Sequence, residues 1–398
     1  MKQRILVSAL GVGALAVAGL TAQAATAAPT PYATGKHAVK VCSTSTSPHT
    51  ASCYAFKLVN DKGVVPASTT PPSTGLTPAG LRDAYKLNGL NANGRTVAIV
   101  DAYGYPNLER DLGVYRSQFG LSACTTANGC LRIIDQNGGT SLPRFNTGWA
   151  GEQALDVDAV SAAAPDAKIV VVQAKSASFA DLGTAVITAS QQPGVVAISN
   201  SYGGGDASDA TYGTYYNHPG IAVTASTGDN GYQGGSYPAS SSYTTAVGGT
   251  SLVAASNSRG WSESVWDGAG SGCSTYNTAL SAAVSFDTGC SKRAMADVSA
   301  VADPGKGGMA IYYPTSKTTS TWAQFGGTSE AAPIIASVYA LSGNTSGYAN
   351  AIPYAHPGSL FDVTSGSNGT CPTTQWCNAR TGWDGPTGLG TPNGAGAF

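Results

Sequence analysis

Four short apolar runs, separated by stretches with helical spacing, set the narrowest limits on this chain. They fall at 96–100, 168–172, 195–199 and 221–225. Apolar but for one residue in each, and without a polar alternate face, such runs read as strands covered on both sides. Helical patterns lie between them, over about 149–163, 179–191 and 207–217. Strand alternating with helix predicts an α/β domain on a mostly parallel sheet. Ligands of such sheets bind beyond the carboxyl ends of the strands, so chemistry is sought there. A helix capped by Thr77, with Pro78 at its first position, is expected just before the first run.

The 398 residues are 42% hydrophobic, enough for a large core. Only 11% are charged, against a usual value of about 25%. A surface so poor in charge depends little on ion pairs and loses less stability when acid protonates its carboxylates. That points to an acidic workplace. The net charge of -1 argues against nucleic acid or an anionic membrane as partner.

Met1-Lys2-Gln3-Arg4, an apolar stretch over 5–21 and two small-x-small sites over 22–27 read as a secretory signal peptide, residues 1–28. A membrane anchor is the less favoured alternative, because the apolar stretch is short. Secretion and an extracellular location are therefore expected. Eight cysteines in an exported chain favour disulfides. Many connectivities are open. The local pairs Cys42/Cys53, Cys124/Cys130, Cys273/Cys290 and Cys371/Cys377 are the easiest to close. With no C-x-x-C and four histidines, zinc is disfavoured. Residues 29–74, rich in Ser, Thr and Pro, read as a short N-terminal extension or propeptide and linker.

Gly326-Gly327-Thr328-Ser329 precedes a small-residue helix. A serine at a helix start sits where a developing anion is stabilised; equally, it can be an ordinary N-cap. A nucleophilic serine needs a base. His37 and His49 lie in the extension, and His218 and His356 sit in His-Pro-Gly turns, so a histidine triad is disfavoured. Carboxylates are the alternative. Glu152 and Asp156, four apart on one helix face, either share a proton in acid or decorate a solvated surface. Asp229, in Ser226-Thr227-Gly228-Asp229 at a strand end, is either a turn residue or, when protonated, a hydrogen-bond donor to an oxyanion.

Together, Gly151-Glu152-x-x-Leu155-Asp156, Ser199-Asn200-Ser201-Tyr202-Gly203, Ser226-Thr227-Gly228-Asp229, Tyr237-Pro238-Ala239-Ser240 and Gly327-Thr328-Ser329 resemble the sedolisins, or serine-carboxyl peptidases, from about 76 to 392. The resemblance implies a subtilisin-like three-layer sandwich over 75–398, with a C-terminal calcium site. It implies Ser329 as nucleophile, Glu152 as general base and acid, Asp156 as its orienting partner, and Asp229 in the oxyanion hole. Asp101 ends the first strand, is read as structural or as a distant part of the carboxyl network, and stays outside the catalytic set. One structural Ca2+ is implied, held by the carboxylates of Asp362 and Asp384 and the carbonyls of Val363, Arg380 and Gly382. Arg380 stands where the family often has glycine, so its side chain must point away. Family precursors carry a propeptide several times longer than 29–74. The expected function is that of a secreted, acid-acting endopeptidase on protein or peptide substrates, as a monomer. A weakly active or inactive peptide-binding protein on the same scaffold is the alternative.

Overall fold

A computed structural model describes residue 1, residues 35–344 and residues 346–398. The expected signal peptide, 1–28, lies outside the described residues apart from Met1. In chain order the strands are β1 (Lys36–Lys40), β2 (Ser52–Cys53), β3 (Phe56–Asn60), β4 (Thr96–Ala102), β5 (Leu131–Asp135), β6 (Lys168–Ala174), β7 (Val195–Asn200), β8 (Tyr202–Gly205) and β9 (Ala222–Ser226). There follow β10 (Ser236–Tyr237), β11 (Thr245–Ala254), β12 (Trp261–Val265), β13 (Gly272–Cys273), β14 (Ala294–Met295), β15 (Val298–Val301), β16 (Ala310–Pro314) and β17 (Ser320–Gly326). The helices used below are α1 (Pro78–Ala84), α2 (Leu108–Gln118), α3 (Thr147–Ala163), α4 (Phe179–Ser190), α5 (Asp209–Tyr212) and α6 (Thr328–Ser342).

The four apolar runs become β4, β6, β7 and β9 at the centre of an eight-stranded sheet, in the order β12-β11-β9-β7-β4-β6-β5, with β15 also on β11. All its pairings are parallel except that of β11 with β12. Every residue of β4 is buried, as a strand covered on both faces requires. Helices α3 and α6 pack on each other and on this sheet, and α4 packs on β4, β6 and β7. The helix expected over 207–217 is shorter. It breaks into α5 and a tight turn, Gly213–Tyr215, where Asp, Thr, Tyr, Gly and Asn give little helical support. Thr77 caps α1 as expected, accepting from the Gly80 N–H.

Residues 29–74 behave differently from a plain extension wherever they are described. Strands β1 and β3 form an antiparallel hairpin, and β3 continues onto β17 through Lys57↔Phe325 and Phe56↔Gly326. Strand β2 pairs with β8 through Ser52↔Gly203 and Cys53↔Tyr202. The segment is therefore woven into the domain beside the start of α6. All eight cysteines form disulfides, in the local pairs 42–53, 124–130, 273–290 and 371–377.

Candidate active site

Helix α6 opens at Gly327, with φ of +102°, a region closed to most side chains. A Cβ there would stand 2.2 Å from the Tyr54 carbonyl oxygen and 2.8 Å from Asp229 Oδ2. Glycine thus lets the helix start, Asp229 and the N-terminal segment meet at one point. The ordinary N-cap considered for Thr328 or Ser329 is not formed: Gly327 holds the cap position and no side chain caps it. Thr328 instead gives its N–H and its hydroxyl to Asp229 Oδ1, at 2.8 and 2.9 Å.

Ser329 is fully buried. Its N–H, an orphan donor of a helix start, reaches the Tyr54 carbonyl at 3.0 Å. Its Oγ donates to the Ser201 carbonyl at 2.9 Å and accepts from the Tyr54 N–H at 3.1 Å. Pro333 lies within this helix and has no N–H to give the Ser329 carbonyl. The Ser201 hydroxyl approaches that carbonyl instead, at 3.3 Å. Histidine plays no part among these partners. His218 Nε2 is bonded to the Tyr215 carbonyl at 2.9 Å, and His49 packs on the rings of Phe179 and Tyr212.

The acids come from α3. Asn146 caps this helix, which is buried almost all round because α6, β16, α2 and α1 enclose it. Glu152 and Asp156 are 0% exposed, so the solvated-surface alternative is excluded. Asp156 Oδ1 accepts from the Ser201 hydroxyl at 2.8 Å. Ser201 therefore bridges Asp156 and Ser329, a role that the spacing of its motif did not disclose. Neither oxygen of Glu152 has a partner of hydrogen-bond geometry. The Ser329 hydroxyl is near enough to lower the Glu152 pKa, yet in this rotamer its proton goes to Ser201. Burial first, then the charge of Asp156, hold the Glu152 carboxyl well above its ordinary range. Burial likewise raises Asp156, against the pull of Ser201. Asp101, at the end of β4, is fully buried with both oxygens unpartnered. Burial, then Asp156, then Glu152 push it up. Three carboxyls in one dry cluster cannot all ionise, so of the two readings of Asp101, structural or a distant part of the carboxyl network, its electrostatics favour the second.

Asp229 ends the β9 strand–turn, and its carboxyl is pushed up to about 7, chiefly by burial, against the two Thr328 bonds. Its Oδ2 is buried without a partner and lies against the point where Tyr54 O also arrives. A protonated Oδ2 there can donate to that oxygen.

The chain thus fills the site with its own residues. The Tyr54 N–H reaches the Ser201 carbonyl at 3.3 Å, its carbonyl lies on the Ser329 N–H, and Ser52–Cys53 form an antiparallel pair with β8. Both sulfurs of the Cys42–Cys53 disulfide and a Glu152 oxygen lie within 4.8 Å of one another. Bonded to each other, these sulfurs are no metal site; they keep water from Glu152. Beside the segment a cleft of about 500 Å3 runs along Thr44, Thr50, Gly204, Asn230 and Gln233. The only sequence hint to Tyr54 was its neighbour Cys53.

At the C-terminal end, Asp362 Oδ2 accepts the Gly382 N–H at 2.9 Å. Asp384, fully buried, accepts from the Arg380 N–H and from both donors of Thr387. The charge of Asp362 is felt at Asp384. The Arg380 side chain turns away, to the carbonyls of Trp383 and Asp287, and Val363 is buried between the loops. Two carboxylates that feel each other's charge, with the one nearby cationic side chain turned away, are oxygen donors of the kind a hard divalent cation takes.

No protein-family model matches the chain. It is 31% identical over 366 residues to kumamolisin of Bacillus sp. (strain MN-32), covering 82% of this chain and 64% of that one. It is 34% identical over 176 residues to sedolisin of Pseudomonas sp. (strain 101), covering 39% and 28%. The solved structure of Pseudomonas sedolisin, a serine-carboxyl proteinase complexed with two molecules of pseudo-iodotyrostatin, matches with TM-score 0.66 and 25% identity, over 81% of this chain and 96% of that one. The chain belongs to the sedolisin family. The chain has a subtilisin-like α/β fold with a mostly parallel central sheet. It spans 64% of the length of kumamolisin and 28% of that of the curated sedolisin. Among its described residues no helix is long and apolar enough to cross a membrane.

Proposed function

We propose that this chain is a secreted serine-type endopeptidase that hydrolyses peptide bonds of proteins in acid, with Ser329, Glu152, Asp156 and Asp229 as its working groups. The observation that carries the reading is a peptide carbonyl, that of Tyr54, lying 3.0 Å from the Ser329 N–H beside the unpartnered Asp229 Oδ2. Ser329 Oγ turns from Ser201 toward such a carbonyl carbon and attacks it, passing its proton to ionised Glu152. Asp156, held by Ser201, shares the proton of the pair. The oxyanion is met by the Ser329 N–H and by protonated Asp229. Glu152 then protonates the departing amine, leaving an acyl-enzyme on Ser329. Water, deprotonated by Glu152, releases the acyl group.

Residues 29–74 act in this reading as the propeptide and linker, and their described part holds the cleft shut until it is displaced. Four disulfides support export. One Ca2+ held by Asp362, Asp384 and the carbonyls of Val363, Arg380 and Gly382 would cross-link two C-terminal loops and takes no part in the reaction. A filled site with Ser329 Oγ bonded to Ser201 and Tyr54 also suits the second reading, a peptide-binding protein without turnover.

The test is digestion of casein by the full chain between roughly pH 3 and 6, where a carboxyl pair shares a proton. Wild type should cut, Ser329→Ala should not, and Glu152→Ala should lose on the order of 10²–10⁴ in rate. Peptide binding with no cutting at any of these pH values would give the second reading precedence.

A further inference from the structure

The residue after Ser329 carries a carboxyl for which the proposed chemistry has no use. Glu330 lies in the first turn of α6. It is 0% exposed, and neither of its oxygens has a hydrogen-bond partner. Among the described residues no ion pair includes it.

The charges around Glu330 are acidic. Asp303, just beyond β15, adds its charge; its own oxygens are held by the Ser251 hydroxyl and the Gly305 N–H. Of the elements packed on α6, α3 carries Glu152, Asp156 and Asp158, β4 carries Asp101, and Asp229 follows β9. Strands β7, β11, β15 and β17 carry no titratable side chain. Tyr115 of α2, whose hydroxyl is buried without a partner, feels the charge of Glu330. Two cations on elements next to these are engaged elsewhere. Arg116 of α2 gives its donors to Ser122, Ser161 and Pro165, and Lys57 of β3 lies over the Tyr313 ring.

An ionised carboxylate away from solvent, with neither cation nor donor, is among the costliest groups to bury. Glu330 is therefore seated as the neutral acid. Burial holds its carboxyl well above the ordinary range; the Met309 N–H, short of hydrogen-bond geometry, pulls against this, and Asp303 adds to it. The turn that carries it also lacks two supports usual at a helix start. No side chain caps it, and Pro333 offers the Ser329 carbonyl no N–H.

We propose that Glu330 is an acid latch on the nucleophile: seated as the neutral acid it fixes the first turn of α6, and on ionising it leaves its seat and carries that turn, with Ser329, out of place. The sign follows from linkage. A carboxyl whose seated pKa is raised favours the seated state fully below its ordinary value of about 4, and that advantage drains away as pH rises toward the raised value. Over that window each pH unit makes opening of the turn about tenfold easier.

The test is hydrogen exchange of the full chain at pH 5 and pH 8, read by mass spectrometry and corrected for the intrinsic pH dependence of exchange. In wild type, residues 327–333 should exchange at least about tenfold faster at pH 8 than at pH 5, relative to the last turn of α6. Glu330→Gln keeps the shape and removes the charge, and its rise should be at least about tenfold smaller. The carboxyls of Glu152, Asp156, Asp101 and Asp229 are present in both chains, so the difference belongs to Glu330. No rise in wild type, or an equal rise in Glu330→Gln, overturns the proposal. Should Glu330→Gln not fold at pH 5, Glu330→Leu takes its place with the same expectation. Failure of both to fold would show a need for the carboxyl that a latch does not have, and also overturns it. Exchange needs no turnover, so a chain that cuts no casein still tests the latch.

Discussion

Asp229 keeps its two carboxyl oxygens in different company: Oδ1 accepts twice from Thr328, while Oδ2 has no partner. A proton on this group therefore sits on Oδ2, facing the place where an oxyanion would form. Because burial raises the pKa to about 7, the donor is present in acid and fades as pH climbs through 7. In the proposed mechanism Glu152 has the opposite need. It must lose a proton to act as base, so it governs the acid side of the profile. The plot of kcat/KM against pH should be a bell whose alkaline side falls near 7. Asp229→Asn keeps a donor that does not titrate and should carry activity to higher pH. Asp229→Ala should cost about 10²–10³ in kcat. An alkaline side that stays put in Asp229→Asn would remove Asp229 from the oxyanion hole.

Among the elements, α3 and the N-terminal hairpin explain each other. A helix buried nearly all round has no polar face on which to park Glu152 and Asp156. Their charges are tolerated only as shared protons, beneath a disulfide that shuts out water. The hairpin, itself the β1–β3 ladder, is held by β3 on β17, by the β2–β8 pair and by Cys42–Cys53. The disulfide also fixes Cys53 beside Tyr54. Val41, next to Cys42, gives its N–H to the Ala55 carbonyl at 2.9 Å, which ties both sides of the Tyr54–Ala55 bond to one strand. Replacing both cysteines by serine removes a constraint worth about 3 kcal/mol for a short loop and lets the segment leave. The Cys42→Ser/Cys53→Ser chain should gain casein-digesting activity in acid with a shorter lag than wild type. Equal lags in a side-by-side time course would mean that the segment is no brake.

For the molecule as a whole, the buried carboxyls make stability depend on pH in an uncommon direction. An acid whose folded pKa lies above its unfolded value near 4 binds more protons folded than unfolded in between. The folded state is then favoured below about 4, and the advantage drains away as pH rises through the folded value, about 7 for Asp229. Glu152, Asp156 and Asp101 are raised by the same cause and push the same way. The melting temperature should be higher at pH 4 than at pH 8; a rise from 4 to 8 would contradict the buried cluster. With both C-terminal loops relying on Asp362 and Asp384, a chelator such as EGTA should lower the melting temperature of wild type and leave Asp384→Ala unaffected. Equal melts with and without chelator in wild type would remove the calcium ion.

The amino-acid order alone determined the alternation of strand and helix, because a strand covered on both faces must be apolar along its covered length, as 97–100 and 169–172 are. It also brought forward Glu152 and Asp156, by their four-residue spacing on one helix, and Asp229 and Ser329, by their places after a strand and at a helix start. The hairpin over 36–60 was hidden. Its strands are short and half-buried, its residues are those of a linker, and their order comes from pairing with β8 and β17, more than a hundred residues away. Asp101 was offered as structural or as a distant part of the carboxyl network, and only three-dimensional packing puts it among the acids. Periodicity reports which face a residue turns inward; only the folded chain decides what it meets there.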